Sequence, residues 1–403
     1  MSHQSYLSRR TALAGAAGLG VTYLVEPSLA AMPEGKRKLV VIICRGAMDG
    51  LSVSPPLSDP NYMALRGQIA IPSDAALKLD ADFGLHPKLP TIYRLAQDGQ
   101  ARIAPAAAIP ERIRSHFEAQ DLLESGGGHL YAATTGWLNR ALAAQSPGSA
   151  ITALSVGAQE PLILRGPTGV QSWSPGGKVT EDMERVAAIL QDLYASDPLL
   201  ARAFASGLQT EAMAEELDNN GAPKPAAQPQ RAVYDYAVTT AKFLTKSGGP
   251  SIAVISLDGY DTHANQGGVN GQLANHLKNL DDVVAGLHDG LSTAWSKSIV
   301  VAVTEFGRTA HVNGTGGTDH GTASTMILAG GALKSGGIVG DWPTLAEAKL
   351  FENRDLAPTF DVRQVFKGIL REHMGLDALA LDTTVFPDSA NAPAFGNLVT
   401  ETG

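Results

Sequence analysis

The residues best suited to chemistry fall in four short segments. Asp49 follows an apolar run at 38–44; Asp258-Gly259-Tyr260-Asp261-Thr262-His263 follows another at 251–257; Glu305-Phe306-Gly307-Arg308 follows a third at 298–304; Asp319-His320-Gly321 precedes a fourth at 325–329. Carboxylates mixed with imidazoles offer oxygen and nitrogen ligands, a set that suits zinc, manganese or iron better than calcium alone. In Asp261-Thr262-His263 the alternation of an extended segment puts both ligand types on one side. Each segment also has a plain structural reading. Asp49-Gly50 and Asp258-Gly259 are turn sequences. Asp261-Thr262-His263 could supply an N-cap for a helix beginning near Val269. Glu305 closes an apolar strand, where an unpaired charge is costly, and Arg308 is the local partner three residues on. Asp319-His320 lies in the glycine-rich stretch 314–321, which reads as a surface loop, although glycines also let backbone approach a bound group closely.

These residues need a scaffold. Lys38–Cys44 is a continuous apolar, β-branched run, the pattern of a buried parallel strand. Similar runs occur at 101–106, 151–156, 251–257, 298–304 and 325–329. Between them helical periodicity appears at 88–97, 117–124, 137–144, 233–244, 269–287 and 362–374. Strand and helix in alternation predict an α/β fold, a mainly parallel sheet sandwiched by helices. In such a sheet ligands collect at the carboxyl ends of the strands, so Asp49, the 258–263 segment and Glu305 converge on one edge, and a loop brings Asp319-His320 to join them. Residues 181–230 break the alternation. They read as a helical insertion ending in a polar, Pro-rich linker at 218–230.

The remaining candidates carry less chemistry. Ser115-His116-Phe117-Glu118 fits the S-x-x-E capping box. His86 reads as a packing or capping residue and His276 as part of a helix, while Trp137 and Trp173 could line a pocket, though such residues more often serve the core. Gly314–Gly317 is no phosphate loop, because it does not lead from a strand into a helix and no G-x-x-x-x-G-K-[ST] sequence occurs.

Composition narrows the partners. The formal charge of −9 over 403 residues argues against nucleic acid, which needs a basic face. A single cysteine, Cys44, cannot close an intramolecular disulfide, so stability rests on core burial. Residues 1–30 read as a leader: Ser8-Arg9-Arg10-Thr11-Ala12-Leu13, an apolar stretch to Val25, and a small-residue site at Ser28-Leu29-Ala30. The paired arginines resemble a twin-arginine export signal, which implies the twin-arginine machinery as a partner and export after folding. The apolar stretch is about 14 residues, short of the roughly 20 that span a bilayer. We therefore expect cleavage, a mature domain at 31–403 with no stable membrane span, and a periplasmic or secreted protein; an uncleaved N-terminal helix is the alternative.

Five blocks together, Arg45-Gly46-Ala47-Met48-Asp49-Gly50-Leu51, Arg114-Ser115-His116-Phe117, 258–263, Thr304-Glu305-Phe306-Gly307-Arg308 and Asp319-His320-Gly321, resemble the exported bacterial family of domain of unknown function 1501, which is similar to sulfatases and the alkaline phosphatase superfamily. The resemblance implies an alkaline phosphatase or sulfatase-like fold and a metal-dependent hydrolase of phosphate or sulfate esters, with a small-molecule or glycan ester as substrate. It implies one or two divalent ions, zinc or manganese first, held by Asp49, by Asp258 or Asp261 with His263, by Glu305, and by Asp319-His320. It places Ser115 as nucleophile and Arg308 or Arg114 on a non-bridging oxygen. This chain departs from that pattern. Glu305-Phe306 stands where the superfamily has Asp-His, so one imidazole is missing unless His116 or His311 replaces it. No Cys-x-Pro-x-Arg sequence exists, which excludes the formylglycine route. The alternative is a non-catalytic binding or assembly protein that keeps the fold and at most one metal.

Overall fold

A computed structural model of the chain describes residues 37–145, 152–157, 159–174, 210 and 232–400. The leader, nearly all of the insertion at 181–230 and its linker lie outside the described residues. The described residues form ten strands: β1 (Lys38–Cys44), β2 (Leu77–Lys78), β3 (Gly84–Leu85), β4 (Ala101–Ala108), β5 (Ala153–Val156), β6 (Gln171–Trp173), β7 (Ile252–Leu257), β8 (Ser298–Val303), β9 (Ser324–Ala329) and β10 (Phe360–Asp361). Eight form one sheet in the order β10-β4-β9-β8-β1-β7-β5-β6, and β2 with β3 forms a small hairpin. All eight strands except β9 share one direction, because β9 pairs antiparallel with both β8 and β4 while every other pairing is parallel. The six expected runs all form strands, and the short β6 and β10 add to the two edges.

Side chains on β1 show why the sheet must be covered twice. Leu39, Val41 and Ile43 enter a core shared with the helices His116–Ser125, Trp137–Ala143 and Val362–Glu372. Val40, Ile42 and Cys44 enter another, shared with the helices Pro90–Gln97, Ala232–Thr245 and Gln272–Leu291. A strand's period of two sends alternate residues to opposite faces, and a strand apolar at both sets is stable only between two helical layers. Trp137 packs against Phe366 and Phe386, and Trp173 against Phe243. Both are core residues and neither lines the site. Among the described residues no helix is long and apolar enough to cross a membrane.

Capping differs from the sequence pattern. Ser115 is the N-cap of His116–Ser125 but makes no side-chain capping bond, so the S-x-x-E reading fails. A capping box does form at Asp361, whose carboxylate accepts from the main chain of Val362–Glu372 while Gln364 returns the bond. That helix ends at His373, whose Nε2 lies 2.9 Å from the carbonyl of Lys38 at the start of β1. Burial pushes this imidazole down to about 4. An unfolded histidine near 6.5 binds its proton earlier on acidification, so His373 contributes stability that is complete above pH 6.5 and is lost as pH falls toward 4. Denaturant titrations should show a loss of up to roughly 3 kcal/mol from this group across that window, and His373→Gln should flatten the pH dependence.

Candidate metal centre

Four sequence segments meet at the edge formed by the carboxyl ends of β1, β7 and β8. Gly46 leaves β1 with φ +107°, and a Cβ there would lie 2.6 Å from the main-chain nitrogen of Asp261. Only glycine lets the β1 turn lie flat on the segment after β7. Because β9 runs backwards, the residues before it start from this same edge. His320 is delivered by strand direction as well as by its loop. Gly317, in the glycine-rich stretch, lies against the main chain of His263, so the close approach its composition predicts is to protein backbone. The helix His116–Ser125, which follows β4, brings its first residue to the same place.

The centre consists of His116, Asp261 and His320, whose ligand atoms all lie within 4.8 Å of one another, with His263 adjoining. His116 Nε2 is 3.0 Å from His320 Nε2, which is 3.0 Å from His263 Nε2 and 3.2 Å from Asp261 Oδ1. The second oxygen of Asp261 is 3.4 Å from His116 Nε2. The outer nitrogens explain this crowding. His320 Nδ1 is 2.7 Å from the carbonyl of Arg114, which can only accept. His116 Nδ1 is 2.8 Å from Glu305 Oε1, a carboxylate. Both rings therefore carry hydrogen on Nδ1, which leaves Nε2 lone pairs in the neutral rings aimed at each other. Lone pairs 3.0 Å apart repel unless a proton or a cation lies between them. Ligands on a tetrahedral ion with bonds of about 2.1 Å stand roughly 3.4 Å apart, close to the spacing here. Nitrogen and carboxylate donors fit zinc or manganese.

A second ring of groups holds the first. Glu305 is fully buried and accepts from His116, from Gln120 at 3.0 Å and from the main chain of Gly46 at 2.9 Å. Burial alone would raise its pKa, but these hydrogen bonds outweigh it and hold the carboxyl below its ordinary value. The same bond holds His116 above the ordinary histidine value. His320 is pulled below it, by burial first and by the neighbouring His116 and Arg308. Burial would also raise Asp261, yet Arg308 keeps it ionised and below its ordinary value. His263 Nε2 lies 3.0 Å from Asp261 Oδ1, and its Nδ1 lies 3.5 Å from Asp319 Oδ1.

Several expected roles are not met. Glu305 supports His116 from behind, and its partner is not Arg308. Arg308 is buried with all three nitrogens engaged, Nη1 on Asp261 at 2.6 Å, Nε on Thr318 Oγ1 at 3.0 Å and Nη2 on the carbonyl of Thr318; it positions Asp261 and has no free fork for a substrate oxygen. Arg114 is committed to Asp355 and Glu352, each at 2.6 Å, and contributes its carbonyl instead of its guanidinium. Asp49 lies in a buried layer beside the centre, ion-paired with Arg66 and bonded by Gln266 at 2.7 Å and Ser52 at 2.8 Å. These contacts all fall on Oδ2, while Oδ1 is buried without a hydrogen bond among the described residues; Arg66 stands where a cation was expected beside this carboxylate. Asp258 is exposed and faces a neighbouring cavity. Asp319 stands behind His263. His311 is exposed, while His116 stands within the cluster with Phe306 stacked on it, ring centres 5.0 Å apart. His86 is a buried packing residue, bonded to the carbonyl of Gly268 and the main chain of Lys88, and His276 packs against Tyr260. Near Val269 the helix begins only at Gln272, with Gly271 as N-cap.

Sequence reasoning missed Gln266, Gln120, Arg66 and Thr318. Gln266 joins the two layers, since its Nε2 donates to Asp49 while its Oε1 accepts from Thr262 at 2.9 Å and from Thr318 at 2.8 Å. An amide in a loop carries no sequence signature of such a role.

The profile of a family described as protein of unknown function (DUF1501) matches residues 36–385. The chain belongs to this family. A search of curated proteins found no match. Solved structures similar to this DUF1501 chain include Ps i-CgsB in complex with k-i-k-neocarrahexaose, 11% identical over 89% of this chain and 77% of that one with a TM-score of 0.44. Alkaline phosphatase from the Antarctic bacterium TAB5 is 11% identical over 76% of this chain and 95% of its own, with a TM-score of 0.37. The C-terminal periplasmic domain of EptC from Escherichia coli, in complex with Zn, is 13% identical over 74% of each chain, with a TM-score of 0.34.

The arrangement makes Glu305 a test of the centre. Glu305→Gln keeps the shape but removes the charge that orients His116, and the affinity of the purified chain for zinc, measured by competition with a chromogenic chelator, should fall by about 10- to 100-fold. An unchanged affinity would show that His116 is not a ligand.

Proposed function

We propose that this protein is an exported, metal-dependent hydrolase of phosphate or sulfate esters that works with a single divalent cation. The observation that carries the reading is the convergence of imidazole lone pairs on Asp261, an arrangement that leaves a place for one positive charge. A cation held by His116, Asp261 and His320, with His263 beside them, supplies Lewis-acid polarisation of an ester oxygen and lowers the pKa of a nearby hydroxyl. A second cation at Asp49 is not part of this proposal, since Arg66 already supplies the positive charge there.

The chain's own residues divide the remaining work. Ser115 is the nucleophile. It precedes His116 directly, its hydroxyl has no capping bond, and the helix it opens presents free main-chain N–H groups that favour an anionic ester. His263 is about half exposed and rests against Asp319, which suits it to move a proton at the leaving oxygen. Glu305 and the Arg114 carbonyl fix the two more buried rings, so that little reorganisation is needed when substrate arrives. The leader, with its paired arginines, supports export to the periplasm or beyond.

A second reading, a binding protein that keeps one cation, is favoured by Phe306 and by the Asp49–Arg66 pair, which together remove the means to hold two ions. The readings separate on one set of measurements. Elemental analysis should find one zinc or manganese per chain, and chelation should stop hydrolysis of 4-nitrophenyl phosphate or 4-nitrophenyl sulfate. Ser115→Ala should retain the metal while kcat falls by at least about a thousandfold. Bound metal with no turnover across an ester panel would favour the binding protein; a chain that takes up no metal would sink the hydrolase.

A further inference from the structure

Beside the centre lies an open cavity of about 690 Å³, large enough for a ring-bearing portion of a ligand. It shares two walls with the metal centre. Phe117 and Gln120 come from the helix that begins with His116, and Asp258 from the segment that continues to Asp261 and His263. Gln120 also ties the two together, donating to Glu305 and accepting from Arg45 at 2.7 Å.

The charges around this cavity do not balance. Arg45 is paired with Glu124 at 2.6 Å. Arg165 bonds the main-chain oxygen of Glu160 at 3.1 Å, and burial pushes the Glu160 carboxyl up to about 7 although Arg165 pulls it the other way. Asp121, whose carboxyl is pushed up by burial and is met only by the main chain of Tyr131, and the exposed Asp258 have no ion pair among the described residues. Oδ1 of Asp121 is buried and has no hydrogen bond, so one acceptor in the wall is unmet. On the rim Phe117 is 89% exposed, an unusual position for a large apolar ring immediately beside a functional centre. Two carboxylates outside any ion pair and an open aromatic face form a receptor for an ammonium group.

We propose that this cavity holds the alcohol half of the ester and selects a substrate in which that half carries a positively charged amine, with Asp121 and Asp258 as countercharges and Phe117 as the platform. The proposal rests on the hydrolase reading above. The anionic end of such a substrate goes to the cation centre and the ammonium end to the cavity, so the two ends are sorted by charge.

Calorimetric titration of the full chain with (4-hydroxyphenyl)trimethylammonium and with 4-hydroxybenzoate tests the cavity without requiring turnover, since these phenols are similar in size and opposite in charge. The ammonium phenol should bind at least about tenfold more tightly, and the difference should shrink in high salt. Phe117→Ala and Asp258→Asn, both at exposed positions where the fold is not at risk, should each reduce the preference, and Phe117→Trp should keep it. Equal affinities, a preference for the carboxylate, no measurable binding of either phenol, or a preference that survives both Phe117→Ala and Asp258→Asn would overturn the proposal. The phosphate monoesters of the same phenols separate it from the hydrolase reading. A binding preference with no turnover of either ester would remove the hydrolase and leave the cavity's selectivity, while equal kcat/KM for both esters would remove the cavity assignment alone.

Discussion

Imidazole lone pairs brought within 3.0 Å of one another are the constraint on which the rest of this structure depends. Such a cluster is unfavourable by itself. It persists because each ring is gripped from behind, His116 by Glu305, His320 by the carbonyl of Arg114 and His263 by Asp319. These grips fix the tautomer of the two more buried rings, and a fixed tautomer turns an ordinary histidine into a preorganised ligand. Glu305 is costly to bury and would be a liability in an apolar strand end. Four groups meet its charge: His116, Gln120, the main chain of Gly46 and the hydroxyl of Thr304.

The second layer separates two kinds of carboxylate that look alike on paper. Asp261 faces the centre with one side open to solvent, and its charge is held by Arg308 without being hidden. Asp49, one turn beyond β1, is sealed from water and bound to Arg66, an arginine that is itself fully buried. A buried ion pair of this kind contributes little net stability but is expensive to break, because either partner alone would be an uncompensated charge. Arg66 also bonds the main chain at Thr309 and Ala310, so the pair fastens the loop that carries Arg308. Through Gln266 and Thr318 the two layers become one hydrogen-bonded unit. Asp49 is thus joined to the centre through Gln266 and Thr318.

Direction of a single strand matters as much as any side chain. Had β9 run parallel to its neighbours, residues 319–321 would begin at the opposite edge of the sheet, and a long return loop would have been needed to bring His320 back. Reversal makes the segment before β9 part of the same rim as Asp261 and Glu305. The glycines at 307, 317 and 321 then allow this segment to lie flat against the turns after β7 and β8.

Much of the architecture was legible in the sequence, because strand and helix periodicity are local. The six apolar runs and the six helical stretches each declare their own burial, and a strand apolar on both faces requires two helical layers wherever it is placed. The carboxylates and imidazoles at strand ends were likewise visible as candidates, since topology alone sends strand ends to a rim. Which of them face a common point was not visible. That depended on pairings between residues 17 to 241 positions apart: Arg66 with Asp49, Arg114 with Asp355, Arg308 with Asp261, His116 with Glu305. Coulombic and hydrogen-bond partners are chosen by distance in space, and spacing along the chain carries no record of them. The direction of β9 and the role of Gln266 belong to the same class. The sequence by itself determined the layers and a set of candidate residues; only the tertiary structure decided which charges neutralise one another and which stay grouped as a candidate cation site.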